Sequence, residues 1–439
     1  MTILTENTEK NYLEINGNIP LNVETDSFIS LTRNPPLKIY SLGFQPAKSI
    51  PEIPRWFLQK YAKLPFTVLD PFAGSGTTII EAVKNGASVY WLDYHPLSRL
   101  ICQIKSSRFS DQEIRQEGTK IINLANTIIT VEKTVKFTNK NIWFQKPVQE
   151  GLEILKELIS KADSKVQPIL WLVFASTVRK SSNMNEGMLL PARRTNVEKI
   201  PDHTRADVFN NFQFFLDKAV DAISEWNNFV KKNNIENKIT ELPLFDARNI
   251  TGNFQIDAIV TSPPYINAID YVWAAKFELH WLGMVASDDD RLNLYCKEIG
   301  TERISKQEYK ELGKTGDVYL DELIEDIYTG KKYQASKGQN QLRARVVYKY
   351  FNDMKQHFAS SFLQLRSGGY YCFTIGDVSK ICGVDIPVAK ILTKLAGEVG
   401  FQEIFHFHLL LKNRKLNIPR NVQWSGNIKH DTTVILQKP

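Results

Sequence analysis

Hydrophobic and polar positions change period several times along the chain, and the changes mark out its elements. Residues 1–33 are polar and weakly periodic, which predicts an N-terminal arm ending near Pro35 and Pro36, where the backbone is reset toward extended structure. Trp56, Phe57 and Tyr61 recur at helical spacing and Pro51 and Pro54 suit a first turn, so 50–63 reads as a helix. The period then shortens. PFTVLD (65–70) is a short apolar run, a glycine-rich turn follows, TTIIEAVKNGA reads as a helix stopped at Gly86, and SVYWLD (88–93) is a second strand. Two strands joined by one crossover helix make a βαβ unit, which requires parallel pairing.

From about 109 to 237 apolar residues recur every three to four positions, which predicts a helical insertion. Its middle, 180–196, is aperiodic; with Arg179 just before it and Lys180, Arg193 and Arg194 within it, it reads as an exposed basic loop. Strand character returns in DAIVTSPPY (257–265), whose end is locked by two prolines. A charged second insertion spans 287–338, a helix 343–365, a strand 367–377 and a helix 384–400, and FQEIFHFHLLL and TTVILQK close the chain as two strands. Strands and helices alternate at both ends, which predicts a doubly wound α/β sheet. The expected organisation is an arm over 1–33, a core from 34–106, 240–282 and 345–439, a helical insertion over 107–239 and a second insertion over 283–344.

Composition adds boundaries. With 439 residues, 43% of them hydrophobic, the chain can bury a core without disulfides or metals. A net charge of +7 suits a polyanionic partner without requiring one. No run of about 18 apolar residues and no basic, apolar and cleavable leader is seen, so no membrane partner is expected and the location reads as cytoplasmic, associated with the nucleoid. Cys102, Cys296, Cys372 and Cys382 are too far apart for zinc-type spacing and read as reduced thiols, mostly buried. His357, His406 and His408 show no ligand spacing with acidic or cysteine partners, so no metal is expected.

Two loops carry the candidate chemistry. Asp70-Pro71-Phe72-Ala73-Gly74-Ser75-Gly76-Thr77-Thr78 follows a strand and opens a helix, where ligands meet the carboxyl edge of an α/β sheet. It lacks the third glycine of the dinucleotide fingerprint and the GK[ST] ending of a phosphate loop, so it suits a phosphate-free, cationic adenosine ligand. Asp93 ends the next strand, 23 positions after Asp70, where an acidic residue binds ribose hydroxyls in such folds. The second loop is Thr261-Ser262-Pro263-Pro264-Tyr265. Its prolines fix the backbone and remove donors, leaving carbonyl and hydroxyl acceptors beside an aromatic ring, a pocket for a flat exocyclic amine. Holding both amine hydrogens favours a pyramidal nitrogen for methyl transfer, with Tyr265 stacking on a flipped base.

In this pair of loops the chain resembles the S-adenosylmethionine-dependent amino methyltransferases of DNA, the N4-cytosine and N6-adenine class, of SPPY type. The segment 40–57 is similar to the one that packs over the methionine end of the cofactor, with Pro46, Ala47 and Lys48 at its centre, and LFDARNI (244–250) resembles a later strand whose acidic residue, here Asp246, contacts the adenine. The resemblance implies a Rossmann-like methyltransferase sheet. It assigns Pro46, Lys48, Asp70, Phe72, Ala73, Gly74, Gly76, Thr77, Asp93 and Asp246 to S-adenosyl-L-methionine, and Ser262, Pro263, Pro264 and Tyr265 to the target amine. The expected activity is methylation of N4 of cytosine in a short double-stranded DNA sequence, with a cognate restriction endonuclease as a candidate partner. N6 of adenine, an exocyclic amine of RNA, or a catalytically silent nucleic-acid-binding homologue are the alternatives. The glycine loop precedes the SPPY loop by 185 positions, an order unlike the common one, which leaves the helical insertion as first choice and 287–338 as second for target recognition.

Overall fold

The computed structural model describes residues 11–34, 36–194, 200–236, 238–266, 269–336, 338–411 and 428–439. Residues 1–10 of the expected arm, Pro35, and Thr195 and Asn196 of the expected basic loop lie outside them. Among the described residues there are eleven strands: β1 (Tyr12–Asn16), β2 (Ser27–Thr32), β3 (Thr67–Asp70), β4 (Ser88–Trp91), β5 (Ile239–Glu241), β6 (Ile256–Thr261), β7 (Leu365–Gly376), β8 (Val378–Ile381), β9 (Val384–Pro387), β10 (Gln402–Leu410) and β11 (His430–Gln437). Nine of them form one sheet in the order β1-β2-β10-β11-β7-β6-β3-β4-β5, and β8 and β9 form a separate antiparallel hairpin. β7, β6, β3, β4 and β5 run parallel to one another, β11 is antiparallel to both its neighbours, and β10, β2 and β1 are parallel again. The result is a mixed α/β fold with a large central sheet and helices packed against it.

The central strands read as uninterrupted apolar runs because both faces are covered: Val68, Leu69, Ala258, Ile259 and Val260 are all buried. β3, the helix Thr77–Lys84 and β4 form the expected βαβ unit, with Thr67 opposite Ser88 and Asp70 opposite Trp91. The segment read as an arm behaves differently: β1 and β2 extend the sheet beyond β10, with Phe28 and Ile29 opposite His408 and Leu409. Its pattern was weak because β1, at the very edge, buries only Ile15. The segment read as a helix over 384–400 is also corrected. Val384–Pro387 is β9, and the helix is Val388–Val399, since Pro387 lacks the amide that strand pairing would continue through.

Helices α1 (Glu52–Tyr61), α2 (Thr77–Lys84) and α3 (Pro96–Ser106) cover the sheet, and α4 (Asp111–Ala125), α5 (Lys140–Trp143), α6 (Lys146–Ser160), α7 (Gln167–Lys180) and α8 (Arg205–Lys232) follow as a helical unit. The 28-residue α8 begins with a reciprocal capping box between Thr204 and Asp207. It buries Phe209, Phe212, Leu216, Val220, Ile223 and Trp226 against α4, α6 and α7. Gly118 in α4 sits so close to Leu216 that a Cβ there would lie 2.4 Å from its Cδ2, so α4 and α8 touch almost backbone to side chain. Cys102, Cys372 and Cys382 are buried free thiols and Cys296 is exposed. Among the described residues no helix is long and apolar enough to cross a membrane.

Phe212 is fully buried at the centre of this unit. Phe212→Ala should destabilise the protein by about 3–5 kcal/mol, read as a lower urea midpoint at an unchanged slope.

Candidate active site

β3 and β6 are hydrogen-bonded neighbours in parallel register, Val68 opposite Ala258 and Leu69 opposite Ile259. Both strands therefore end at the same edge, and the loops after them, distant in sequence, emerge side by side. Two side chains bind them together. Thr261 donates its hydroxyl to Asp70 Oδ1 at 2.7 Å, and Thr78 donates to the carbonyl of Val260 at 3.3 Å. The first loop needs its glycines: Gly74 and Gly76 have φ of +50° and +71°, a left-handed backbone that side chains resist. That turn points the Gly74 amide at Asp93 Oδ2, 2.8 Å away, while Oδ1 of Asp93 accepts the His95 amide at 2.8 Å.

A cavity of about 1320 Å³ opens at this edge. Pro46, Lys48, Asp70, Phe72, Ala73, Gly74, Thr77, Asp93, Ser262, Pro263, Pro264 and Tyr265 all line it. Two expected residues do not. Gly76 is the N-cap of α2 and faces away, where a Cβ would press within 3.2 Å of Lys105 Cδ; it shapes the turn from behind. Asp246 lies in a turn, not in the strand expected over 244–250, and the strand of that region is β5. Its carboxylate is clamped by Arg248 at 2.8 and 2.9 Å, and only its neighbour Ala247 reaches the cavity wall.

Burial sets the charges. It pushes the carboxyls of Asp70 and Asp93 up to about 6, against the hydrogen bonds from Thr261 and from the His95 and Gly74 amides that favour ionisation. Lys48 donates to the carbonyls of Gly43 and Tyr40 at 2.9 and 3.4 Å, and burial lowers it to about 8. Ser262 gives its hydroxyl proton to the carbonyl of Thr374 at 3.1 Å, so its oxygen meets the cavity as an acceptor.

No protein-family profile matches the chain. It is similar to the Type II methyltransferase M.MvaI of Kocuria varians, 21% identical over 89% of this chain and 88% of that protein. It is also 24% identical to the Type II methyltransferase M.AvaI of a Nostoc species, over 82% of this chain and 81% of that one. M.BsoBI of Geobacillus stearothermophilus, another Type II methyltransferase, is 23% identical over 85% and 80%. The chain is thus distantly similar, over most of its length, to these Type II methyltransferases.

Three titratable groups in or behind the wall of this cavity were not picked out from the sequence. Lys105 is fully buried behind the glycine loop and donates to the Ser75 carbonyl at 2.7 Å; burial lowers it to about 7. His95 lines the cavity, is held near 4 by burial, and has no hydrogen-bond partner for either ring nitrogen among the described residues. Glu298 accepts the Tyr271 amide at 3.2 Å and is raised to about 8 by burial and the nearby Asp270 charge, so at neutral pH it carries a proton it can donate. The DYHP run at 93–96 was the one available signal for His95; nothing local marks the other two.

The loop read as exposed and basic is largely anchored. Ser181 and Ser182 are buried, Arg179 stacks 3.6 Å over Phe44 and pairs with the buried Glu278, and Lys180 and Arg194 pair with Glu186. Met188 of this loop and Lys297 and Glu298 of the second insertion reach the cavity wall.

Removing the Thr261 hydroxyl should leave an ionised Asp70 short of a donor. Thr261→Val is expected to cost about 1–3 kcal/mol at pH 8 and clearly less at pH 5, where Asp70 is protonated. Urea unfolding at both pH values checks this; equal losses would mean that the bond does not serve the charged carboxylate.

Proposed function

We propose that the protein transfers the methyl group of S-adenosylmethionine to N4 of cytosine in duplex DNA. The observation that carries this reading is the hydrogen bond that seats an acidic, glycine-turned loop and a Ser-Pro-Pro-Tyr loop on one cavity. The wall fits the cofactor: Asp70 ends β3 and Asp93 lies two residues past the end of the adjacent parallel β4, the glycine turn lets the backbone come close, and Phe72 offers an apolar face. When bound, the sulfonium supplies an already activated methyl group, so the protein need only bind, orient and keep water out.

Each residue then has a task. Asp93, above its pKa, accepts from ribose hydroxyls while the Gly74 and His95 amides hold it in place. Asp70, fixed by Thr261, provides negative potential near the sulfonium. The Ser262 oxygen and the carbonyls of the proline-locked turn accept the two hydrogens of the exocyclic amine, drawing its lone pair out of conjugation and toward the methyl group. Tyr265 stacks on the extruded base. The SPPY form favours N4 of cytosine within the class that the sequence resembles. Contributions of both insertions to the wall support a role for both in reading DNA around the base.

Incubating unmethylated DNA with the protein and isotope-labelled S-adenosylmethionine, followed by nucleoside mass spectrometry, should yield labelled 4-methylcytosine. Labelled 6-methyladenine would keep the site and change the base, and no label in DNA would overturn the reading. Ser262→Ala and Tyr265→Ala should each slow transfer by about 100-fold while leaving cofactor affinity within a few-fold. Because Asp93 must be ionised, cofactor affinity by calorimetry should be steady at pH 7–8 and fall as the pH drops through about 6. Asp93→Asn should bind weakly at every pH.

A further inference from the structure

His357, His406 and His408 are given no task in this reaction, and they differ in what they face. His357 is buried, with its ring nitrogens engaged by the Ala247 carbonyl at 2.7 Å and the Tyr371 hydroxyl at 2.6 Å. His406 and His408 are two apart on β10, so their side chains leave the same face of the strand. Asp26, which precedes β2 and has φ of +60°, turns its carboxylate toward both. Its Oδ1 lies 3.4 Å from His406 Nε2 and 3.0 Å from His408 Nε2.

The other ring nitrogens decide what those contacts are. His406 Nδ1 lies 2.7 Å from Glu403 Oε1, and an ionised carboxylate only accepts. His408 Nδ1 lies 2.9 Å from the Thr432 hydroxyl, whose single proton goes to Asp377 Oδ1 at 3.1 Å, so Thr432 accepts from the ring. When neutral, each imidazole holds its proton on Nδ1 and turns its Nε2 lone pair toward Asp26, so three electron-pair donors face one point; a proton on Nε2, giving an ion pair with Asp26, or a metal cation satisfies them. Outer carboxylate and hydroxyl partners on Nδ1 are also what fixes the tautomer and ring orientation of metal-binding histidines.

We propose that Asp26, His406 and His408 form a binding site for a divalent transition-metal ion of the zinc class. Bonds of 2.0–2.1 Å in tetrahedral geometry put neighbouring ligand atoms about 3.3 Å apart. The distances of 3.0 and 3.4 Å to Asp26 fit that edge, and all three ligand atoms lie within 4.8 Å of one another. One carboxylate with two imidazoles suits zinc, cobalt or nickel over magnesium or calcium, which prefer oxygen. The Asp26 side chain is 64% exposed, so water completes the coordination. The ion joins segments about 380 residues apart across the seam where Ser27, Phe28 and Ile29 of β2 pair with β10 and the Asp26 amide donates to the His406 carbonyl at 2.9 Å. It acts as a clamp holding the N-terminal strands to the sheet, independent of the methyl-transfer reading.

The test is titration of chelator-treated full-length protein with Co²⁺, read by visible ligand-field absorption, then displacement by Zn²⁺ and thermal melting. One equivalent of tightly held Co²⁺ and a raised melting temperature with Zn²⁺ are expected. Asp26→Asn and His406→Ala, both at solvent-accessible side chains and checked for folding by circular dichroism, should each weaken binding by at least about tenfold. His203→Ala and Cys296→Ser should leave it unchanged. No uptake by the wild type, or uptake unaltered in Asp26→Asn and His406→Ala, overturns the proposal.

Discussion

The hydrogen bond from Thr261 to Asp70 is the contact on which the site depends. It is buried, it spans 191 residues of sequence, and it exists because β3 and β6 are neighbours in the sheet. A carboxylate in that position is costly to ionise, and the hydroxyl lowers the cost at the same time as it fixes the relative position of two loops. Strand adjacency also removes the meaning of motif order. Whichever loop comes first in the chain, both leave the same edge of a parallel sheet, where ligands collect in α/β folds.

Electrostatics at that edge have a consistent sense. Asp70 and Asp93 are sunk in the protein and raised toward neutrality, so a cationic ligand that displaces water beside them favours their ionised form. The cations near the loop are restrained: Lys48 and Lys105 are tied to backbone carbonyls and lowered by burial, so they brace the turn and would oppose the proposed sulfonium only weakly. Ser262 is oriented by giving its proton to the carbonyl of Thr374, which leaves its oxygen an acceptor as the proposed reaction requires. Preorganisation of this kind needs no rearrangement at the moment of transfer.

What was legible in the sequence was what acts locally. Gly74 and the Pro263-Pro264 pair restrict the backbone within a few residues, and the β3-α2-β4 unit closes over about 25 positions, so both could be placed without knowing the rest. Most of the nominated wall residues follow from those loops. The failures are non-local. Asp246 was assigned to the adenine, yet Arg248 two positions on folds back onto its carboxylate. β1 and β2 sit at a sheet edge where alternation fades, and Glu298 and Lys105 reach the cavity region from elements whose packing no local pattern records. For His406 and His408 the shared carboxylate could not be read locally, because Asp26 lies about 380 residues away, whereas Glu403 contacts only His406.

The central position of β6 has a consequence for synthesis. β3 is made early, but the strand that must lie against it emerges only after the whole helical unit of α4 to α8 has been translated. At roughly 5–20 residues per second the 191 residues between Asp70 and Thr261 take about 10–40 s. Throughout that interval the nascent chain presents one apolar strand edge without its neighbour, while the helices α4 to α8 are made and still await Phe277, Leu279 and Trp281, which follow β6 and complete their core. Recombinant yield should therefore be governed by how well that edge is shielded on the ribosome, more than by the stability of the finished fold.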